Sequence, residues 1–303
     1  MKPGPALITD IIYEELPLDS MPIKLTRVIE HVILDHFPDL DPFEKASEWE
    51  AAIRSRLLSY IKTTEERGVQ SQIAFNSSSS YMIEGACFIE GTDSAEVVEQ
   101  KKRRLRWKDY YETLQELSPS EFELLCREIL KLIGARNIRL TKQTRDEGID
   151  FYGRLSVADL IEPSSVFRFR SFESFLEIWL VGQAKHYRAM KVATPDLREL
   201  VGSVRLASAR AFADLDPDKY PDLWIRVADP VFMLFFTTGR ISIDGWQLIK
   251  KSGIVAMDGE MLATFLADHK VAIMDEEGTR QFRKDAFFEW LKKSPSNSST
   301  QVV

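Results

Sequence analysis

The chain has 303 residues, 44% apolar and 29% charged, with a formal net charge of −7, enough material to bury one large or two medium cores. No run of eighteen apolar residues and no basic-then-apolar leader occurs, so neither a membrane span nor a secretory signal is expected, and a cytoplasmic location is. Two cysteines, Cys87 and Cys126, are too few for a disulfide scaffold or a four-ligand zinc site.

Residues 1 to 20 are proline-containing with little periodicity, and are expected to lie as an arm on the surface. From Ile23 the apolar spacing becomes helical: Leu25, Val28, Ile29, Val32 and Ile33 recur at three and four, up to Phe37-Pro38. After the Asp39-Leu40-Asp41-Pro42 turn, Trp49, Ile53, Leu57 and Ile61 recur every four residues, while Arg54, Arg56 and Lys62 fall off that stripe. A helix with an apolar seam and a basic flank follows, stopped by Gly68. Gln72–Phe75 and Tyr81–Ile83 read as short strands on either side of Asn76 and four serines. Helix, helix and polar-tipped hairpin is the order of a winged helix-turn-helix, and Trp49 to Ile83 loosely resembles the recognition helix and wing of that family. That resemblance would place Arg54, Arg56, Lys62 and Arg67 against DNA. A small helical domain for dimerisation or protein contacts is the other reading.

The next stretch, Lys101-Lys102-Arg103-Arg104-Leu105-Arg106-Trp107-Lys108, places six cations in eight residues. It reads either as a solvated helix face or linker, or as a phosphate-contacting bridge between domains. Ser118-Pro119-Ser120-Glu121 opens a helix with an N-cap, a proline at the first helical position and the third-position glutamate of a capping box. Phe122, Leu125, Ile129 and Ile133 form its apolar face and Gly134 ends it. Ile138 to Thr141 is a short strand. Asp150 is expected near the end of another, spanning 146–153, with Asp146 and Glu147 as loop-capping acids. Residues 154–178 read as an elaborated loop or a substrate-contacting flap carrying Arg168 and Arg170 among Phe167, Phe169 and Phe172.

Val181 to Tyr187 forms a further strand, in which Gln183 and Lys185, two apart, share one face while His186 takes the other. The Asp150 carboxylate, the Gln183 amide oxygen and the Ala184 carbonyl would together make an oxygen-only site for a hard divalent cation, with an ammonium beside it. Such a set suits phosphodiester hydrolysis; a buried hydrogen-bond and salt-bridge cluster is the bland alternative. Thr194-Pro195-Asp196 opens a helix carrying Leu197, Leu200, Val201, Val204 and Ala207, and 214–221 is a polar turn region. Val231 to Phe236 is a strand buried on both faces. Ser242 to Lys251 is helical, and Ile254 to Met257 is a short strand. Phe282, Phe287, Phe288 and Trp290 mark a last amphipathic helix, and 294–303 a disordered tail.

The ordered set Phe122-Glu123, Gly134, Thr141, Asp146-x-Gly148-Ile149-Asp150, Gln183-Ala184-Lys185-x-Tyr187, Leu197-Arg198-Glu199-Leu200-x-Gly202, Phe236-Thr237-Thr238-Gly239 and Asp258-Gly259-x-x-Leu262 resembles the catalytic domain of the Mrr restriction endonucleases. These form a branch of the PD-(D/E)xK nuclease superfamily in which glutamine stands at the acidic position. The resemblance spans residues 107 to 270. It implies an α/β (α+β) fold with a restriction-endonuclease-like mixed central sheet flanked by helices, here preceded by a small, mainly helical, winged-helix-like domain. The expected division is 1–100 for that domain, 101–117 for the basic linker or helix, 118–292 for the nuclease and 293–303 for the tail.

By the same resemblance Asp150, Gln183 and the Ala184 carbonyl hold Mg2+ (or Mn2+), Lys185 orients water and stabilises charge on the phosphate, and Glu123 restores the charge that Gln183 lacks. Arg54, Arg56, Lys62, Arg67, Lys101, Lys102, Arg103 and Arg104 are the expected contacts to double-stranded DNA, and a homodimer is expected from the symmetry of the duplex. The implied activity is a Mg-dependent DNA endonuclease in defence against foreign DNA. Its rivals are a catalytically inactive DNA-binding sensor and an effector nuclease switched on by a partner or ligand.

Overall fold

The computed structural model describes residues 3–141, 148–156, 177–187, 191–192, 194–209, 222–226, 228–276 and 279–293. The expectations for Asp146, Glu147, the flap arginines Arg168 and Arg170, the 214–221 turn and the tail lie outside these residues. The chain divides into two units, one of Met1–Tyr110 with Ala263–Phe282, the other of Tyr111–Leu262 with Arg283–Val303. Residues 263–282 thus belong to the first unit.

In the first unit, α1 (Pro5–Glu15), α2 (Leu25–His36) and α3 (Pro42–Glu66) surround one apolar core, and β1 (Ile23–Lys24), β2 (Ile73–Phe75) and β3 (Met82–Gly85) form an antiparallel sheet ordered β1-β3-β2. The expected arm is a helix. Its prolines stand before or at the first turn, or after the last, where a missing N–H costs nothing, and Ile8 and Ile12, four apart, are fully buried. α3 starts where the Asp41 side chain accepts from the Phe43 and Glu44 N–H groups and is followed by Gly68 at φ +65°. Helix, helix and hairpin thus come in the expected order, with α1 and β1 added.

The basic run is helical rather than extended: α4 (Ala95–Arg104) carries its four cations in the last turn, where they oppose the helix dipole, and α5 (Trp107–Glu116) follows. Gln70 N–H donates to Thr264 Oγ1 (3.1 Å), and the Tyr110 hydroxyl donates to the Val271 carbonyl. These two bonds hold 263–282 within the first unit, where β11 (Ile273–Glu276) and β12 (Thr279–Phe282) form a hairpin.

The second unit is built on a five-stranded mixed sheet ordered β10-β8-β6-β5-β4. β4 (Arg136–Leu140), β5 (Phe151–Ser156) and β6 (Glu177–Lys185) are antiparallel neighbours, whereas β8 (Val231–Thr237) and β10 (Val255–Met257) run parallel to β6. The short strands β7 (Lys191–Val192) and β9 (Arg240–Ile241) pair separately. α6 (Pro119–Leu132) packs on β4, β5 and β6, while α7 (Thr194–Ala209) packs on β6 and β8 from the other face, alongside α8 (Ile243–Ser252). α9 (Gly259–Asp268) follows β10, and α10 (Lys284–Lys293) packs on α6. The result is a mixed central sheet flanked by helices. β8 departs from the expected strand buried on both faces, since Phe232 is half exposed.

α6 begins as its sequence requires. Ser118 Oγ accepts the Glu121 N–H (3.3 Å) and the Glu121 carboxylate accepts the Ser118 N–H (2.9 Å), a reciprocal capping box. Replacing Ser118 by Ala removes one of these bonds, and chemical denaturation should record a loss of about 1 kcal/mol with an unchanged m-value.

Candidate active site

β6 is the central strand, and its alternation sorts the site. Trp179 and Val181 join the core beneath α7, so Gln183 and Lys185, of the same parity, emerge on the α7 face at the strand's carboxyl end. Gly182 stands between β5 and β8 with its α-carbon against the Phe151 ring; a Cβ there would lie 2.2 Å from that ring's carbons. Close approach of the two strands is what sets Asp150 beside Ala184.

Asp150 does not end a strand, as the sequence suggested, but precedes one. Gly148 holds φ +53°, outside the extended region, and pairing begins at Phe151 opposite Gly182. The turn is clamped by Thr141, whose N–H donates to the Asp150 carbonyl (2.9 Å) and whose hydroxyl donates to the Ile149 carbonyl (2.7 Å). The Asp150 N–H donates to Gly182 O (2.9 Å), and Asp150 Oδ2 accepts the Ala184 N–H (2.7 Å). Because N–H and C=O of one strand residue point to the same side, the Ala184 carbonyl opens toward the Asp150 carboxylate.

Gln183 is buried, at 1% exposure. In the amide orientation that satisfies both ends, its nitrogen donates to the Asp196 carbonyl (3.2 Å) and its oxygen accepts from Lys185 Nζ (3.2 Å). Lys185 Nζ also lies 3.4 Å from Glu199 Oε2 of α7. Burial pushes the Asp150 carboxyl above its ordinary range, against the lowering effects of the Ala184 N–H and the Lys185 ammonium, and Glu199 pushes it further up.

An acid whose pKa is raised by folding loses stability as pH rises from its unfolded value through its folded one. Metal-free protein should therefore fall in Tm relative to Asp150→Asn across the window that opens at the ordinary aspartate range and extends upward. Thermal melts of both proteins over a pH series check this, and parallel curves would refute it.

Of the sequence-derived site residues, the structure brings together Asp150, Gln183, Ala184 and Lys185. Glu123 lies on α6, on the opposite face of the sheet from Gln183 and Lys185; it and Asp150 both push the fully buried Cys126 thiol up, so both carboxylates lie near that sulfur. Glu199 belongs to the cluster although the sequence reading gave it no role. Its only signal was its place in the Leu197-Arg198-Glu199-Leu200 motif. His186 Nδ1 lies 2.9 Å from Thr238 Oγ1, which also accepts the Tyr187 N–H (3.1 Å), so the Thr-Thr-Gly turn after β8 fastens the exit of β6.

The expected DNA contacts all lie in the first unit. Arg54 lies over the Phe75 and Tyr81 rings (5.8 and 5.3 Å) and donates to the Ser80 carbonyl (3.0 Å), pinning the hairpin tip to α3. Lys101 donates to Asp93 (2.8 Å) and to the Phe88 carbonyl (2.7 Å), and Arg104 makes a bidentate pair with Asp268 (2.8 and 2.6 Å). These three cations are engaged by groups of their own unit. Lys102 stands 3.8 Å from Glu99 and Lys62 3.9 Å from Glu66, Arg103 and Arg67 are half-buried, and Arg56 is exposed. Residues 1–100 carry 8 Lys/Arg against 18 Asp/Glu, so any approach to phosphate there depends on local clusters of cations rather than on the net charge.

Residues 114–212, about a third of the chain, match the Mrr catalytic-domain model of the restriction endonucleases. Glu123, Asp150, Gln183, Lys185 and Glu199 all fall inside it. Among solved structures the chain is similar to the MspJI restriction endonuclease in complex with a 27-mer oligonucleotide (18% identity, TM-score 0.38, 68% of this chain and 40% of that one). It is also similar to the DNA modification-dependent restriction endonuclease AspBHI (17%, 0.39, 69% and 45%) and to the restriction endonuclease FokI bound to DNA (10%, 0.34, 88% and 44%). The chain spans less than half the length of each. No curated protein matches it, and no described helix is long and apolar enough to cross a membrane.

Proposed function

We propose that this chain, whose residues 114–212 carry a restriction endonuclease domain, is a Mg-dependent DNA endonuclease of the Mrr restriction type that acts in the cytoplasm, in defence against foreign DNA. The observation that carries the reading is the convergence of Asp150, Gln183, the Ala184 carbonyl and Lys185 at one end of β6, with Glu199 reaching in from α7. The donors fit a hard cation. All are oxygens, none is imidazole or thiolate, and the Asp150 carboxylate is desolvated, so a cation would relieve the cost of its charge. Among the described residues no three His, Cys, Asp or Glu side chains form a metal cluster; in this reading the Gln183 amide and the Ala184 carbonyl join Asp150 in the set.

Magnesium held by Asp150, Gln183 and Ala184 would supply Lewis acidity toward the scissile phosphate. The chain's own groups do the rest. Lys185 places an ammonium where negative charge develops on the phosphate. Gln183 fixes that ammonium through its oxygen and is itself fixed by the Asp196 carbonyl at the start of α7. Glu199 adds the carboxylate charge that the neutral Gln183 omits. A homodimer engaging the two strands of a duplex accompanies this reading, and the first unit, with its helix–helix–hairpin order, serves as an accessory DNA-engaging module.

The test is incubation of methylated and unmethylated supercoiled plasmid with the full chain, with and without Mg2+. Nicked or linear product that requires the metal is expected. Intact plasmid under every condition, or cleavage indifferent to chelation, would reject the proposal.

A further inference from the structure

The strongest unassigned feature is the outer face of α7. Arg198, Gly202 and Arg205 stand at i, i+4 and i+7, on one side of the helix, and all three are exposed. Neither arginine makes a hydrogen bond or ion pair among the described residues, in contrast to Arg54, Lys101 and Arg104. Gly202 sits between them, and a Cβ built there meets nothing within 4 Å. Its absence leaves the helix backbone open to close approach from outside, at a position where alanine would suit the helix better. Glu199, on the same exposed side, reaches Lys185. The face is therefore continuous with the candidate active site.

From this arrangement we infer that the Arg198–Gly202–Arg205 face of α7 is the track on which the DNA strand being cut lies next to the active site. The inference rests on the nuclease reading of that site. Arg198 and Arg205 are separated by about 10 Å along the helix at 1.5 Å per residue, a span that two long arginine side chains can extend to meet phosphates on either side of a third. The two guanidiniums can thus take phosphates flanking the scissile one, with the strand seated over Gly202. Contacts of this kind position DNA without reading its sequence. Nor do they depend on Glu199, whose negative charge is turned to Lys185.

The experiment measures binding of a fluorescently labelled DNA duplex by the full chain over a salt series, in the Asp150→Ala background so that the strands stay intact. Arg198→Ala/Arg205→Ala is expected to weaken binding about tenfold or more for any duplex sequence, and to lower the slope of log affinity against log salt by about 2, one for each lost phosphate contact. Arg198→Lys/Arg205→Lys should restore the slope. Gly202→Glu should fold, because its site is open, and lose affinity. The charge-matched control Lys250→Ala/Lys251→Ala, on the exposed last turn of α8, should bind as the parent does. An unchanged slope in the arginine double variant, or an equal loss in the lysine control, overturns the inference while leaving the nuclease reading intact. Absence of any duplex binding by the parent chain overturns both.

Discussion

Asp150→Ala is expected to bind duplex DNA with the affinity of the unsubstituted chain or better and to cleave it at least about 10³-fold more slowly, equivalent to about 4 kcal/mol of transition-state stabilisation. Among the described residues Asp150, just before β5, is the carboxylate set against the Ala184 peptide of β6, through the 2.7 Å bond from the Ala184 N–H. Alanine there removes the one strongly desolvated charge of the cation site and leaves Gln183 and a carbonyl, which are neutral. Binding persists because the lost charge is negative and its removal lowers repulsion toward phosphate. The fold should persist as well, because holding the desolvated carboxylate charged at neutral pH is itself costly, which offsets the lost bond from the Ala184 N–H. Single-turnover cleavage, with binding measured on the same preparations, separates the two effects. Cleavage by Asp150→Ala within tenfold of the parent would remove this site from the chemistry.

Gly182→Ala is expected to act through the fold and to be nearly as damaging to activity. The added Cβ would lie 2.2 Å from two carbons of the Phe151 ring. Phe151 is fully buried and stacks on Phe236 with centroids 5.4 Å apart, so it has nowhere to swing. Overpacking of this kind costs about 1–3 kcal/mol or more, and a fall in Tm of about 5–10 °C is expected. The strands that must part are β5, which begins right after Asp150, and β6, which carries Gln183, and they part at the pair Phe151–Gly182, next to the Asp150–Ala184 bond. Cleavage should therefore drop even at temperatures where the variant stays folded. Phe151→Leu in the same chain should recover part of both losses, as expected for residues in direct contact. A fully stable, fully active Gly182→Ala protein would show that the strands are not as close as described.

The two expectations draw on the same local geometry but separate chemistry from architecture. Asp150→Ala should lose cleavage with its melting curve intact, whereas Gly182→Ala should lose both together. Glu199 lies between these cases, being exposed and paired with Lys185 only at 3.4 Å. A single ion pair of that kind contributes little to stability, so whatever Glu199 does, it does for the site.

Much of this was written into short-range sequence pattern, because the physics that reads it is short-range. The capping box at Ser118 and Glu121, the start of α8 at Ser242 and the stop at Gly68 are settled within a few residues of themselves. The parity of Gln183 and Lys185 follows from the two-residue repeat of any strand. That α1 is a helix was obscured by its prolines, which are harmless at and beyond its ends. Other features depended on residues far apart in the chain. Arg104 looks like a free cation until Asp268, 164 positions away, is packed beside it. Glu199 looks like a solvated helix residue until α7 lies across the end of β6 and brings it to Lys185. By itself, then, the sequence determined which residues could form an oxygen-rich site and on which strands they stand. Only tertiary packing decided which charges meet there, which are consumed by the fold, and which, on α7, remain turned outward, because a charge's partner is chosen by distance in space.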